Sequence, residues 1–186
     1  MKTLSQFFYQ KSSVLLALLL TAVSFAYLFL VLKGKALGFE LEAGAERSLG
    51  TQFGFQAADV LDFFSARTHE MINAYIDFNQ IWDTIFALTY GLMYVAWVSV
   101  LFKPFSAKAS LINLFPLAQV VFDWLENFQL ASLANQFLAN GDISTSQAQA
   151  ASVFSMIKWA CSGLTFILLL VGIILAIARA IRKRKA

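Results

Sequence analysis

The sequence predicts an all-α integral membrane protein, a four-helix bundle with an amphipathic helical cap on one side. Three observations lead there. Of the 186 residues, 59% are hydrophobic and 13% charged, about half the charge of an ordinary soluble domain. Four apolar segments reach the length of about twenty residues that a bilayer requires. The basic residues between those segments are distributed so that each loop is assigned to one side of the membrane.

The first span is Ser13–Leu32, SVLLALLLTAVSFAYLFLVL, framed by Lys11 and Lys33. Within it, Ala22-Val23-Ser24 resembles a signal cleavage site. Signal cores run for about 7–15 apolar residues, whereas this run continues for eight more after Ser24, so a retained span is expected. The second span is Ile81–Phe102, the third Leu111–Leu130 and the fourth Trp159–Ile177. Trp82 and Trp159 stand at span ends, where indoles favour the membrane interface. With no internal repeat or low-complexity tract, residues 1–186 read as one membrane domain.

Loop one, residues 33–80, is too long for a simple connector. Its second half spaces Val60, Leu61, Phe64, Met71, Ile72, Tyr75 and Ile76 in helical fashion. One or two amphipathic helices are expected there, lying on the outer surface and leading into span two. Loop three should extend both neighbouring helices, turning at Asn140-Gly141-Asp142. Ser144 with Gln147 has the spacing of a capping box for the next helix.

Orientation follows from the basic residues. Lys2 and Lys11 precede span one, Lys103 and Lys108 occupy loop two, and loop three, from Phe128 to Ile157, has no Lys or Arg. Loop one has four basic residues against seven acidic ones. Both termini are therefore expected in the cytoplasm, with loops one and three outside. Arg179, Arg182, Lys183, Arg184 and Lys185 lie just beyond span four in the tail 178–186. That position marks a cytoplasmic anchor that touches anionic lipid, not a nucleic-acid site. Brevity, together with the resemblance described below, makes a bacterial inner membrane the expected location. The single Cys161 excludes an intrachain disulfide and a cysteine zinc cage, and reads as a small packing residue.

The segment FPLAQVVFDWLENFQL, residues 115–130, carries two carboxylates inside an apolar span. Each charge at a helix centre costs about 2.5–3.5 kcal/mol on insertion scales. Asp123 and Glu126 are three apart and Asp123 and Asn127 four apart, so one helix face presents all three, with Gln119 a turn earlier. Asp83, Ala87, Tyr90 and Tyr94 make a stripe on span two, and Lys158, Ser162 and Thr165 one on span four. Span one offers Ser13, Ala17, Thr21 and Ser24. Ionisable residues in spans turn to the bundle interior or to a wet cavity, which predicts a shared outward-facing pocket of Asp83, Tyr90, Asp123, Glu126, Asn127 and Lys158. Three acids beside one lysine must retain protons, or gain a cation or a loop-one base such as Arg67. The plainer reading is that these groups only hold helices together.

His69, the single histidine, lies in RTHEMIN, which lacks the second histidine of a zinc-protease motif at Asn73. His69, Asn73 and Asp77 share a helical face that could hold a cation, although a solvated surface histidine is the simpler reading and the one preferred. No other metal ligand set is expected. No cofactor is expected either, because the chain has no Gly-rich phosphate loop, nucleophile elbow or haem-ligating histidine pair.

Tyr75, Asp83, Phe86, Tyr90 and Gly91, then Pro116-Leu117 with Asp123-x-x-Glu126-Asn127, then Lys158-Trp159, resemble a group of small uncharacterised four-span membrane proteins. That resemblance covers roughly residues 75–160 and rests most on the PL-x5-D-x-x-E-N stretch. It implies the topology and the polar positions, with no activity to carry over. Two function classes follow from the residues. The first is a non-enzymatic membrane component that binds lipid, a cation, a protein partner or a second copy through the acidic pocket and cap. The second is an intramembrane enzyme or carrier for a lipid-like amphiphile, with Glu126 or Asp123 as acid/base and Lys158 as counter-charge. The lack of a recognisable nucleophile, metal cage or cofactor loop favours the first.

Overall fold

The computed structural model describes residues 1–41, 48–106 and 111–185, with Lys185 described by its backbone alone. Among the described residues there are six helices and no strand. They are α1, Lys2–Lys11; α2, Val14–Ala36; α3, Ala57–Ser65; α4, His69–Phe105; α5, Pro116–Asn140; and α6, Thr145–Lys185. Within them, α2, α4 and residues Thr145–Arg184 of α6 are long and apolar enough to cross a membrane. The outward faces of α2 and α6 are correspondingly apolar, with Leu15, Leu19, Phe29 and Leu30 on one and Leu164, Phe166, Ile167, Leu170 and Ile174 on the other.

The expected third span, Leu111–Leu130, is not among those apolar helices, because Gln119, Asp123, Glu126 and Asn127 interrupt its apolar character. Its start is also displaced. Leu111 adopts a left-handed backbone with φ 79° and Ile112–Leu114 form a 3-10 turn, so the helix begins at Pro116. Proline at the first helical position has no N–H to leave unsatisfied and a φ already set for the helix.

Loop one folds back onto the α5–α6 hairpin. In α3 and the first turns of α4, Val60, Phe63, Phe64, Ile72, Tyr75 and Ile76 are buried together with Phe39, Leu49 and Phe55. They pack on Leu130, Ala131, Leu133 and Ala134 of α5 and Ala148 and Ala151 of α6. The periodic apolar face therefore meets protein, where a surface-lying helix would meet lipid. The second amphipathic segment is no separate helix but the start of α4, which runs from the cap into span two.

The α5–α6 turn forms at the expected residues, with Gly141 at φ 69° ending α5 in the left-handed form that glycine adopts most readily. Ser144 Oγ accepts the Gln147 N–H at 3.4 Å. The return half of the capping box is replaced, because the Ser144 N–H donates to Gln136 Oε1 at 3.1 Å while the Gln147 side chain bonds Gln136.

Toward the other end, α1 lies against the hairpin between α4 and α5. Tyr9 packs on Val98 and Phe102. Ser5 Oγ donates to Asn113 Oδ1 at 2.6 Å, and Asn113 Nδ2 donates to Ser99 Oγ at 2.9 Å. Lys103 Nζ donates to the carbonyls of Gln10 and Ser12, closing the end of α1. Lys108, counted above with loop two, lies outside the described residues. The tail continues as helix, with Arg179, Arg182, Lys183 and Arg184 exposed, and the Lys185 side chain lies outside the described set.

Two glycines set how closely α4 is approached. A Cβ at Gly91 would collide with Val120 Cγ2 on α5, and one at Gly172 would meet Leu101 Cβ at 2.8 Å. Small residues of this kind let membrane helices pack where apolar burial alone gives no preference over lipid. Gly91→Ala is expected to lower unfolding stability in detergent by about 1–3 kcal/mol, as overpacking does. Adding Val120→Ala should restore part of that loss, and additive effects of the two changes would show that the helices do not meet there.

Candidate functional site

The six expected pocket residues converge on one network from three helices. Asp123, Glu126 and Asn127 line one face of α5, as their spacing requires. Lys158 of α6 forms ion pairs with Glu126 and, at 3.4 Å, with Asp123 Oδ1. Tyr90 of α4 donates its hydroxyl to Asp123 Oδ2 at 2.6 Å. Asn127 Nδ2 donates to Asp83 Oδ2 at 3.0 Å, tying α5 back to α4. Glu126 and Asn127 are fully buried, and Asp123 and Lys158 are 4% and 6% exposed.

Asp83 owes its position to a local departure from α-helical winding. Residues Phe78–Asp83 form a π turn within α4, a feature that inserts one residue and redirects the side chains around it. Side-chain donors gather at its carbonyls. Thr84 Oγ1 donates to Asn79 O at 2.8 Å, Tyr27 to Trp82 O at 3.0 Å, and just beyond the turn Trp124 Nε1 to Thr84 O at 3.0 Å. Asp83 stands where this turn ends, half-buried, facing α5.

A strap from loop one, Ser48–Phe55, crosses the network along α6. Lys158 Nζ donates to Gly50 O at 2.8 Å, and Ser155 Oγ donates to Gln52 O at 2.7 Å. Phe55 N–H donates to Ser152 Oγ at 2.9 Å. Residues 152, 155 and 158 fall at steps of three on one helix face, so strap and helix run in opposite directions, and Leu49 and Phe55 anchor the strap in the cap core. None of these strap contacts was expected from the sequence. The only available signal was that Ser152, Ser155 and Lys158 make a polar row in an otherwise apolar and alanine-rich stretch.

Arg67 has another role than balancing the acids. Its Nε donates to Phe39 O at 2.8 Å, its Nη1 bonds Phe63 O, and its guanidinium lies 3.4 Å from the Phe63 ring centroid. It holds cap segments together. His69, Asn73 and Asp77 all lie on the exposed face of the first turns of α4. Among the described residues, no three His, Cys, Asp or Glu side chains are grouped as metal ligands. The expected small stripes face inward except at Ser13, which is exposed and caps α2 by accepting the Leu16 N–H. Ala17 and Ser24 of α2 are buried, Thr21 Oγ1 accepts from Trp97 Nε1 at 2.9 Å, and Ser162 and Thr165 of α6 are buried below Lys158. Cys161 is a buried free thiol beside them.

Next to the network lies a cavity of about 560 Å³, within the range of sites that hold one small molecule. Its polar part is lined by Asp83, Tyr90, Gln119, Asp123 and Lys158, with Asn79 and Ser162 nearby. Its apolar part is lined by Phe25, Leu28 and Leu32 of α2, Phe86 and Met93 of α4, and Phe166 of α6. Strap residues Ser48, Gly50 and Thr51 complete the lining, as do Lys33 and Glu40. Compared with known protein families, curated proteins and solved structures, the chain matches none.

Removing Lys158 leaves two buried carboxylates without a counter-charge, which typically costs about 3–5 kcal/mol. Lys158→Met is therefore expected to destabilise the purified protein strongly in a detergent unfolding assay. Adding Asp123→Asn and Glu126→Gln to that variant should recover most of the loss. A triple variant no more stable than Lys158→Met would show that the acids are not what the lysine serves.

Proposed function

We propose that this is a four-helix integral membrane protein, with α2, α4, α5 and α6 in the bilayer, that binds a lipid-like amphiphile between α2 and α6. The observation that carries this reading is the cavity, which joins a hydrogen-bonding base to an apolar wall within one lining. An amphiphile has the matching division of polar head and apolar tail. A bare ion would leave the Phe25, Leu28, Phe86, Met93 and Phe166 wall without a purpose, and a wholly apolar ligand would leave buried polar groups unsatisfied.

In this reading α5 crosses the membrane although its own sequence is too polar, because α4 and α6 cover its polar face. The termini face the cytoplasm of a bacterial inner membrane, and the cap and strap face outward. The protein is grouped with the small four-span proteins whose Asp83, Pro116-Leu117 and Asp123-x-x-Glu126-Asn127 positions it shares. Those positions serve one site, since Gly91 is received by Leu117 and Val120 at the same α4–α5 contact that carries Tyr90 to Asp123. Binding is favoured over acid/base chemistry because Glu126 is fully buried in its ion pair with Lys158, while Asp83 and Asp123 are the carboxylates that line the cavity.

A photoreactive single-chain amphiphile should crosslink saturably to Ser24–Leu32 and to Trp159–Phe166, in competition with its unlabelled parent. Labelling spread over the outer faces of α2 and α6 without saturation would count against a bound site. The topology is tested separately in a Cys161→Ser background. A cysteine placed at Thr51 is expected to react with an impermeant maleimide from outside, and one at Ala180 only after permeabilisation. The reverse pattern would invert the assignment.

A further inference from the structure

Building on the amphiphile-binding reading, we infer that the headgroup the cavity takes is a primary amine. Donors and acceptors do not balance at the polar base of the cavity. There the three carboxylates Asp83, Asp123 and Glu126 stand beside one buried lysine, Lys158, while the exposed Lys33 and Glu40 line the cavity with opposite charges. Lys158 offers three N–H groups, and it faces three acceptors already: Gly50 O, Glu126 and Asp123. The Tyr90 hydroxyl is committed to Asp123, and Asn127 donates to Asp83. Acceptors are left over.

A second observation stands apart from the acids. Gln119 is 8% exposed and lines the cavity, and its Oε1 has no hydrogen-bond partner among the described residues. A buried amide oxygen without a donor costs free energy that a ligand donor would recover. The buried base thus has more acceptors than N–H donors and more carboxylates than ammoniums, and an alkylammonium supplies three donors and one charge; Ser24 Oγ, also unpartnered at the cavity, can accept from such a head. A carboxylate or phosphate monoester head would add acceptors and negative charge where both are in excess. A quaternary ammonium would bring charge without donors. Asp83 is the natural partner, as a half-buried cavity carboxylate that accepts from Asn127 alone among the hydrogen bonds and ion pairs of the described residues.

The test is isothermal titration of the full chain, purified in a non-ionic detergent, with four probes: dodecylamine, dodecyltrimethylammonium, dodecanoate and lysophosphatidylethanolamine. Dodecylamine is expected to bind saturably and about tenfold or more tighter than the trimethylammonium and the carboxylate, as charge-assisted hydrogen bonds allow. Asp83→Asn should weaken dodecylamine by about the same factor. Gln119→Leu, which leaves the acid–lysine network intact, should weaken it as well. Competition by lysophosphatidylethanolamine assigns the amine to a lipid headgroup, and failure to compete assigns it to a free long-chain amine. Equal or tighter binding of dodecanoate or dodecyltrimethylammonium would overturn the amine assignment while leaving the amphiphile site standing. If no probe binds, the amphiphile reading itself fails. If both variants fold, by an unchanged helical circular-dichroism spectrum, and keep wild-type affinity, binding lies elsewhere and the headgroup assignment is wrong.

Discussion

The ammonium of Lys158 is the point on which the cap-side half of this molecule depends. Its three hydrogens reach a carboxylate pair on α5 and a backbone carbonyl of the loop-one strap, so one side chain of α6 joins three separate parts of the chain. In a low-dielectric interior such contacts are strong, and for the same reason each unmade one is costly. Asp123 and Glu126 could not remain buried without the lysine, and the lysine could not remain buried without them. Helix α5 in turn could not lie inside a bundle unless α4 and α6 covered its polar face.

That arrangement divides the protein along its length. At one end is a cap whose core, built on Phe39, Phe63, Phe64 and Tyr75, has the aromatic packing of a soluble domain. At the other is a smaller cluster where α1 closes on Val98 and Phe102 through Tyr9 and the Ser5–Asn113–Ser99 bonds. Between them the helices are held by close backbone approach at Gly91 and by single hydrogen bonds such as Trp97 to Thr21. The polar network and the cavity lie just beneath the cap, where a packed domain meets helices that are apolar on their outer sides. Such a junction sets polar and apolar lining side by side in one cavity, with strap residues Ser48, Gly50 and Thr51 beside it.

The cavity also explains why the polar residues are unevenly satisfied. In a purely structural cluster, each buried donor and acceptor is expected to find a partner within the protein. Here the lysine and Tyr90 are engaged, whereas at the cavity wall Gln119 Oε1 and Ser24 Oγ have no partner among the described residues. The first can only accept, and the second can accept or donate. A ligand that donates is the simplest complement to both.

Much of this was decided by the sequence alone. Period and length predict α2, α4 and the apolar part of α6, the spacing of Asp123, Glu126 and Asn127 places them on one face, and Gly141 marks the turn between the two longest unbroken α-helices. These are local properties, set by 3.6 residues per turn and by the backbone freedom of glycine. Sequence could also say that buried acids need a counter-charge, and Lys158 lay at the matching depth. It offered Arg67 as a further base beside Lys158 and could not see that Arg67 is engaged within the cap, nor that the α3 face meets the α5–α6 hairpin and not lipid. The π turn before Thr84, the left-handed Leu111 and the strap on Ser152, Ser155 and Lys158 come from contacts between residues tens of positions apart. An apolar face reads the same from sequence whether lipid or protein covers it, and a backbone carbonyl such as that of Gly50 has no residue type to reveal it. Only the tertiary structure chose the partners, because burial and hydrogen-bond satisfaction are properties of the assembled helices.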